Sequence, residues 1–138
     1  MLREASRKPH PDVLYPTLLK PARHNYPEFI DEQGQSVSTG GARVLPVVDR
    51  GDIDQKQADP GPILGGSTAG MFVRVDVWRR LGGFDPALPL FRDGVDFGWR
   101  ANEAGMVVRT APSCTIHHRQ AGRGWQRESH LAPRPDVT

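Results

Sequence analysis

Cysteine is nearly absent from this chain, with Cys114 alone among 138 residues. A lone cysteine excludes an internal disulfide framework and fits a reducing compartment. Long apolar runs are missing too. Nothing approaches the roughly 18 residues that a membrane-spanning helix needs. The opening MLREASRKPHPD lacks the apolar stretch of a secretory signal. Charge of one sign is not in excess: 18 Lys and Arg against 16 Asp and Glu leave +2. That is too little to imply a nucleic-acid or membrane surface by itself. No internal repeat is present. These absences lead us to expect a cytoplasmic chain, or one at the cytoplasmic face of a membrane, with no nucleic-acid partner.

Glycine and proline are plentiful, at 15 and 13 residues. They favour a loop-rich structure, above all over the first 65 residues. Residues 1 to 11 suit a disordered lead or a short helix ended by Pro9 and Pro11. Val13 to Leu19 suits one buried strand running up to Pro16. Residues 20 to 41 read as loop with at most one short strand. Ala42 to Val48 suits an edge strand because of Pro46, and residues 49 to 62 a polar loop. The second half is more regular. Met71 to Arg74 predicts a strand, and Val77, Trp78 and Leu81 have helical spacing from Asp76. Gly82-Gly83 should stop that helix. A second helix is expected from Asp93 to Ala104, closed by Gly105. Met106 to Arg109 and Thr115 to His117 then read as two short strands parted by Pro112. This order of elements suits a mixed α/β layer.

Three motifs carry possible chemistry. Asp93 and Asp96 open the second helix, three residues apart and hence on one face, with Arg100 one turn further. A helix N-terminus stabilises a carboxylate as the anion, and such an anion can take a proton from a hydroxyl. The same spacing equally suits an N-capping Asp93 and a surface Asp96–Arg100 pair. Gly65 to Gly70, with Ser67 and Thr68, permits close backbone approach to a ligand, or makes a tight turn. It is no P-loop, since no Lys-Ser or Lys-Thr follows. His117-His118 closes a strand, where successive rings face opposite sides, so a two-His clamp is disfavoured. One His with carboxylates from elsewhere could hold a divalent metal. The polar tail, 119–138, carries four arginines and Trp125, a composition that suits a solvated or partner-binding segment.

Taken in order, LGGSTAGMFVRVDVWRRLGGFDPALPLFRDGVDFGWRANEAGMVVRTAPSCTIHH, Leu64 to His118, resembles the family 2 glycosyltransferases, inverting enzymes of GT-A fold. A Gly-rich lead-in, an Arg-ended strand, a Gly-Gly-Phe-Asp turn, an acidic helix start, an Ala-Gly close and a strand ending in His follow one another as in that family. Pro11 to Leu19 is similar to the preceding strand. The Arg119-Gln120-Ala121 continuation is similar to actinobacterial members. The resemblance implies a partial GT-A fold, its acceptor-side half, over 1–118 with a core at 63–118. It also implies a nucleotide-diphosphate sugar donor, a divalent cation (Mg or Mn), and a glycan or lipid-linked acceptor.

Carried over residue by residue, the resemblance makes Asp93 and Asp96 catalytic and His117 or His118 a metal ligand. Gly66, Ser67, Thr68, Asp85, Trp99 and Arg100 fall on the acceptor and substrate side. Two departures stand out. The family's acidic motif has two adjacent acids, and Gly94 occupies the place of the second, which normally acts as base. The family's nucleotide-binding half, with its Asp-x-Asp, has no counterpart here; Asp52-Ile53-Asp54 has the letters but lies in a polar loop. The expectation is a glycosyltransferase-like chain, truncated and inactive alone, which a nucleotide-binding partner could complete. The alternatives are a non-catalytic binding or scaffold fragment, or a small metal-binding module using Cys114, His117 and His118.

Overall fold

The computed structural model describes residues 10–21, 24–88 and 92–119. The expectations for residues 1 to 9 and for 120 to 138 lie outside those residues. Among the described residues there are six strands and two helices: β1 Val13–Leu19, β2 Ile30–Glu32, β3 Ser36–Val37, β4 Arg43–Val44, β5 Phe72–Val73, α1 Val75–Leu81, α2 Asp93–Glu103 and β6 Val108–His117. It is a small α/β domain with a mixed sheet.

β1 is the centre of that sheet and is buried along its whole length. It pairs in parallel with β6, from Val13 opposite Val108 to Leu19 opposite His117. Because β6 takes one whole edge, β5 and β2 share the other. Each is antiparallel, with β5 at Val13–Leu14 and β2 at Leu18–Leu19. The strand was expected to stop at Pro16, yet it runs through to Leu19. Opposite the proline, β6 skips from Ala111 to Thr115, so Pro112, Ser113 and Cys114 fall outside the register. Proline offers no ladder N–H, and this irregularity in the partner strand accommodates it. The two short strands expected on either side of Pro112 are therefore one strand. Its Thr17–Pro112 contact, Oγ1 to carbonyl at 3.3 Å, closes the irregular stretch.

The first half was expected to be mostly loop, but it supplies the sheet's central strand. The edge strand expected over Ala42 to Val48 shrinks to Arg43–Val44. It joins Ser36–Val37 in a separate two-stranded ribbon. Both residues of β4 are exposed, so no apolar burial extends the pairing toward Pro46.

The helices were legible. α1 ends at Gly82, whose φ of 76° is the left-handed conformation that glycine adopts without strain. α2 ends at Ala104, followed by Gly105 at φ 72°. Both helices pack on one face of β1 and β6 through Val13, Tyr15, Val77, Phe97, Ala101 and Val108. Trp78, Phe84 and Phe97 lock α1, the Gly82-Gly83 turn and α2 together, with ring centroids 4.8 to 5.8 Å apart.

One close contact in the fold is backbone against backbone. Gly94 and Gly98, one turn apart on α2, press on Gly65 and Gly66. A Cβ at Gly66 would lie 2.6 Å from Tyr15 Cδ1, and one at Gly65 would lie 2.8 Å from Val95 Cα. A Cβ at Gly98 would meet Gly65 Cα at 2.6 Å, and one at Gly94 would fall deep inside the Gly66 carbonyl oxygen. Tyr15 donates a buried 2.8 Å hydrogen bond from its hydroxyl to the Gly94 carbonyl. Asn102 Nδ2 donates to the Ile63 and Leu64 carbonyls at 3.1 Å, holding the far end of the seam.

Alanine in place of a helix-interior glycine gains about 1 kcal/mol of helix propensity, an upper bound for Gly94 in the first turn of α2. At Gly94 the clash is with a backbone carbonyl that cannot rotate away. Overpacking of this kind costs about 1–3 kcal/mol or more, so it outweighs the gain. Gly94→Ala is therefore expected to lower stability by about 2 kcal/mol, read as a lower urea midpoint; an unchanged or raised midpoint would show that the seam is not rigid.

Candidate functional site

The glycine seam sets the start of α2 beside the Gly65–Gly70 segment. Asp93 is the first residue of α2, after Arg92, and is not its cap. Its Oδ1 accepts from the Gly94 N–H at 3.0 Å. A Cβ at Gly94 would also come within 3.1 Å of Thr68 N and 3.2 Å of its Cγ2, which puts Thr68 at the first turn of the helix. Ser67 and Thr68 form a tight turn in which Ser67 Oγ accepts from Ala69 N at 3.2 Å and Met71 N donates to the Thr68 carbonyl at 3.2 Å. The close approach that Gly65 and Gly66 permit is thus to the chain's own helix and to Tyr15.

A second carboxylate arrives from β2. Glu32 is buried, and its Oε1 accepts from Ser67 N at 2.6 Å. Its Oε2 accepts from Gln35 Nε2, and Gln35 is itself paired to Gly65 through both backbone groups. Glu32 and Asp93 both act on the Tyr15 phenol. Burial first, then the negative charges of Glu32 and Asp93, push its ionisation well above the ordinary value of 10.0. The phenol therefore stays a hydrogen-bond donor to Gly94. The structure thus gathers Asp93, Gly66, Ser67 and Thr68 with Glu32, Gln35 and Tyr15.

The other residues singled out from the sequence lie apart. Asp96 is bound by Arg100, Oδ2 to Nε at 2.8 Å and to the second guanidinium nitrogen at 2.7 Å. The same guanidinium donates to the Leu81 carbonyl at 2.8 Å and the Gly83 carbonyl at 2.9 Å. Arg100 thereby ties α2 to the exposed carbonyls at the end of α1. Asp93 and Asp96 share a helix turn but hold different partners. Asp85 is exposed and accepts from Ala87 N at 2.8 Å, shaping its own turn. Trp99 is 44% exposed and donates to Glu103 Oε1 at 2.9 Å.

His117 and His118 stand at the carboxyl end of β6, and each ring meets one carboxylate from the β2 region. His117 Nε2 is 2.7 Å from Glu28 Oε1, and both side chains are about half exposed. His118 Nδ1 is 3.1 Å from Asp31 Oδ2, and the buried Asp31 also faces Arg50 Nε at 3.3 Å. The divergence of the two rings expected from strand geometry is what separates these pairs. Among the described residues no three His, Cys, Asp or Glu side chains gather as a metal site. Neither a divalent cation on the histidines nor a module of Cys114, His117 and His118 therefore has a ligand set among them.

β2 and its flanks supply Glu28, Asp31, Glu32 and Gln35, none of which stood out in the sequence. A buried acid looks like a surface acid until its partners are known. The one available hint was Ile30 within a polar run closed by Gly34, a position with φ of 81°.

Over 141 aligned positions the chain is 29% identical to the N-acetylglucosaminyl-diphospho-decaprenol L-rhamnosyltransferase of Mycobacterium tuberculosis, in strain CDC 1551 / Oshkosh and equally in strain ATCC 25618 / H37Rv. The alignment covers 96% of this chain and 45% of each relative. The chain spans about half the length of the curated relatives it matches. No family model and no solved structure matches. The likeness to a glycosyltransferase runs through nearly the whole chain and supports a glycosyltransferase family.

Tyr15 gives the site an alkaline limit. The folded chain keeps the phenolic proton at a pH where the unfolded chain has lost it, so the unfolded state binds fewer protons. Stability then falls as pH rises above about 10, by up to about 1.4 kcal/mol per unit from this group. Tyr15→Phe is expected to flatten that slope in urea titrations between about pH 10 and 11, after losing about 1 kcal/mol at neutral pH with the hydrogen bond to Gly94. A slope as steep as in the parent chain would exclude Tyr15 as its source.

Proposed function

We propose that this chain forms the acceptor-side part of an inverting glycosyltransferase. Its donor is a nucleotide-diphosphate sugar, and its acceptor is a hydroxyl of a glycan or lipid-linked sugar. The observation that carries this reading is the position of Asp93. It opens α2 beside Ser67 and Thr68, inside a stretch that aligns with a rhamnosyltransferase over 96% of the chain. The ordered motifs from Leu64 to His118 support the same reading.

In this mechanism Asp93 is the base. It accepts the proton of the acceptor hydroxyl as that oxygen attacks the anomeric carbon. The bond from the anomeric carbon to the diphosphate oxygen breaks, the electron pair leaves with the diphosphate, and the configuration inverts. Asp93 then releases its proton to water. Glu32 holds the Ser67 backbone, and through it the loop against which the acceptor lies. Trp99, Asp85 and Arg100 act from the periphery, Arg100 by fixing α1 to α2.

Gly94 limits the chemistry. The resemblance places a second acid there, while the Gly66 carbonyl leaves no room for a side chain. Asp93 must act without an acidic neighbour, and its carboxylate is turned by about 100° from the position one residue on. Such displacement lowers rates by orders of magnitude. The chain alone is therefore expected to transfer little sugar. The relatives' name supplies the first substrates to try, an L-rhamnosyl donor and an N-acetylglucosaminyl-diphospho-lipid acceptor.

The test incubates the purified chain with nucleoside-diphospho-L-rhamnose and a short-chain N-acetylglucosaminyl-diphospho-lipid, with product followed by mass spectrometry. A low yield of inverted product is expected, falling about 100-fold or more in Asp93→Asn while circular dichroism is unchanged. Robust transfer that ignores Asp93→Asn would remove the assigned base. Neither product nor acceptor binding would sink the glycosyltransferase reading.

A further inference from the structure

A cavity of about 500 Å³ opens at the carboxyl end of β1. Its walls include Lys20, Pro21, Tyr26, Pro27, Glu28 and Phe29. This is the end of the parallel β1–β6 pair, and α/β sheets place ligands beyond the carboxyl ends of such strands. Its volume falls within the range of small-molecule sites.

Backbone bonds hold the walls in place. Lys20 N donates to the Phe29 carbonyl at 2.8 Å, Asp54 N to the Glu28 carbonyl at 2.8 Å, and Gly51 N to the Ile30 carbonyl at 2.8 Å. These bonds brace the Lys20, Gly51 and Glu28–Phe29 part of the lining.

The lining joins two kinds of surface. Tyr26 is 66% exposed, and Pro21 and Pro27 line the same cavity. A large aromatic so open to solvent gains little from folding, and it offers a flat apolar face with a polar tip. Around it stand a donor and an acceptor of opposite charge, the Lys20 ammonium and the Glu28 carboxylate. Glu28 is held by His117 Nε2 at 2.7 Å through one oxygen.

A phosphate would be drawn to Lys20 but repelled by Glu28, and an ammonium group the reverse. A neutral ligand with an apolar C–H face and a rim of hydroxyls that both donate and accept satisfies the whole lining. We infer that this pocket is a subsite for a pyranose ring, stacked on Tyr26 with hydroxyls on Glu28 and Lys20. It rests on the sugar-transfer reading only for the ring's origin, which is either the lipid-linked acceptor or the donor.

Saturation-transfer NMR on the full chain tests it with two probes, methyl β-D-N-acetylglucosaminide for the acceptor type and methyl α-L-rhamnoside for the donor type. One of them is expected to receive saturation at its ring protons, and which one identifies the source. Tyr26→Ala should weaken binding at least about fivefold, and Glu28→Gln should weaken it without unfolding the chain. If neither glycoside binds, or if both pocket variants bind like the parent, the inference is overturned. Glycoside binding that depends on Tyr26, without any transfer, leaves the pocket standing and counts against the catalytic reading. Transfer without glycoside binding does the opposite.

Discussion

Much of this fold depends on two pieces of backbone touching without side chains between them. Gly65 and Gly66 meet the Gly94–Gly98 face of α2 at distances that no Cβ would permit. The contact brings the first turn of a helix against a loop, so Asp93, Ser67 and Thr68 become neighbours although about 25 residues separate them in the chain. It also leaves a slot for Tyr15, whose ring lies against Gly66 and whose hydroxyl reaches the Gly94 carbonyl. The central strand, the loop and the helix are joined at that one residue. Any side chain on the seam would widen the spacing and withdraw the tyrosine, and a buried carbonyl would lose its donor, at a cost of about 1–3 kcal/mol.

β2 organises the other half of the molecule in a different way, through charge. It is three residues long, too short for its ladder to hold much by itself. Its side chains and those beside it reach in several directions: Glu28 to His117, Asp31 to His118 and Arg50, Glu32 to Ser67, and Gln33 Nε2 to Thr17 Oγ1 at 2.6 Å. Two of the buried oxygens here, on Gln33 and Gln35, have no hydrogen-bond donor among the described residues, and Asp31 Oδ1 meets only the ion pair with Arg50. Polar groups buried this heavily are costly for a small domain. They are concentrated around β2 rather than in the apolar core under the helices.

The same molecule thus separates two tasks. Apolar packing, with Phe97 and Ala101 fully buried and Arg100 strapping the end of α1, makes α2 rigid. The polar segment around β2 connects that rigid helix start to the strand-end histidines. Asp96, which looked equivalent to Asp93 along the sequence, belongs to the first task, because its oxygen is bound by the strap.

The parts of the structure that were legible in the chain are those governed by local rules. Helical spacing and the left-handed glycines Gly82 and Gly105 placed both helices and their ends, since caps and periodicity act within a few residues. The Asp96–Arg100 pair followed from a single helix turn. What escaped was non-local. Pro16 reads as a strand end until a partner strand with its own irregularity at Pro112 lies beside it. Glu32 and Asp31 read as surface acids until Ser67, His118 and Arg50 reach them from distant positions. Gly94 is the sharpest case. In the sequence it is an ordinary glycine near a helix start; in the fold it is the residue that lets α2 approach Gly66. Residue types and spacings determine which helix begins with an acid, because that is a property of one turn of backbone. Only the tertiary structure decides what can stand next to that acid, because a steric limit set by a carbonyl about 28 positions away leaves no trace in the local chain.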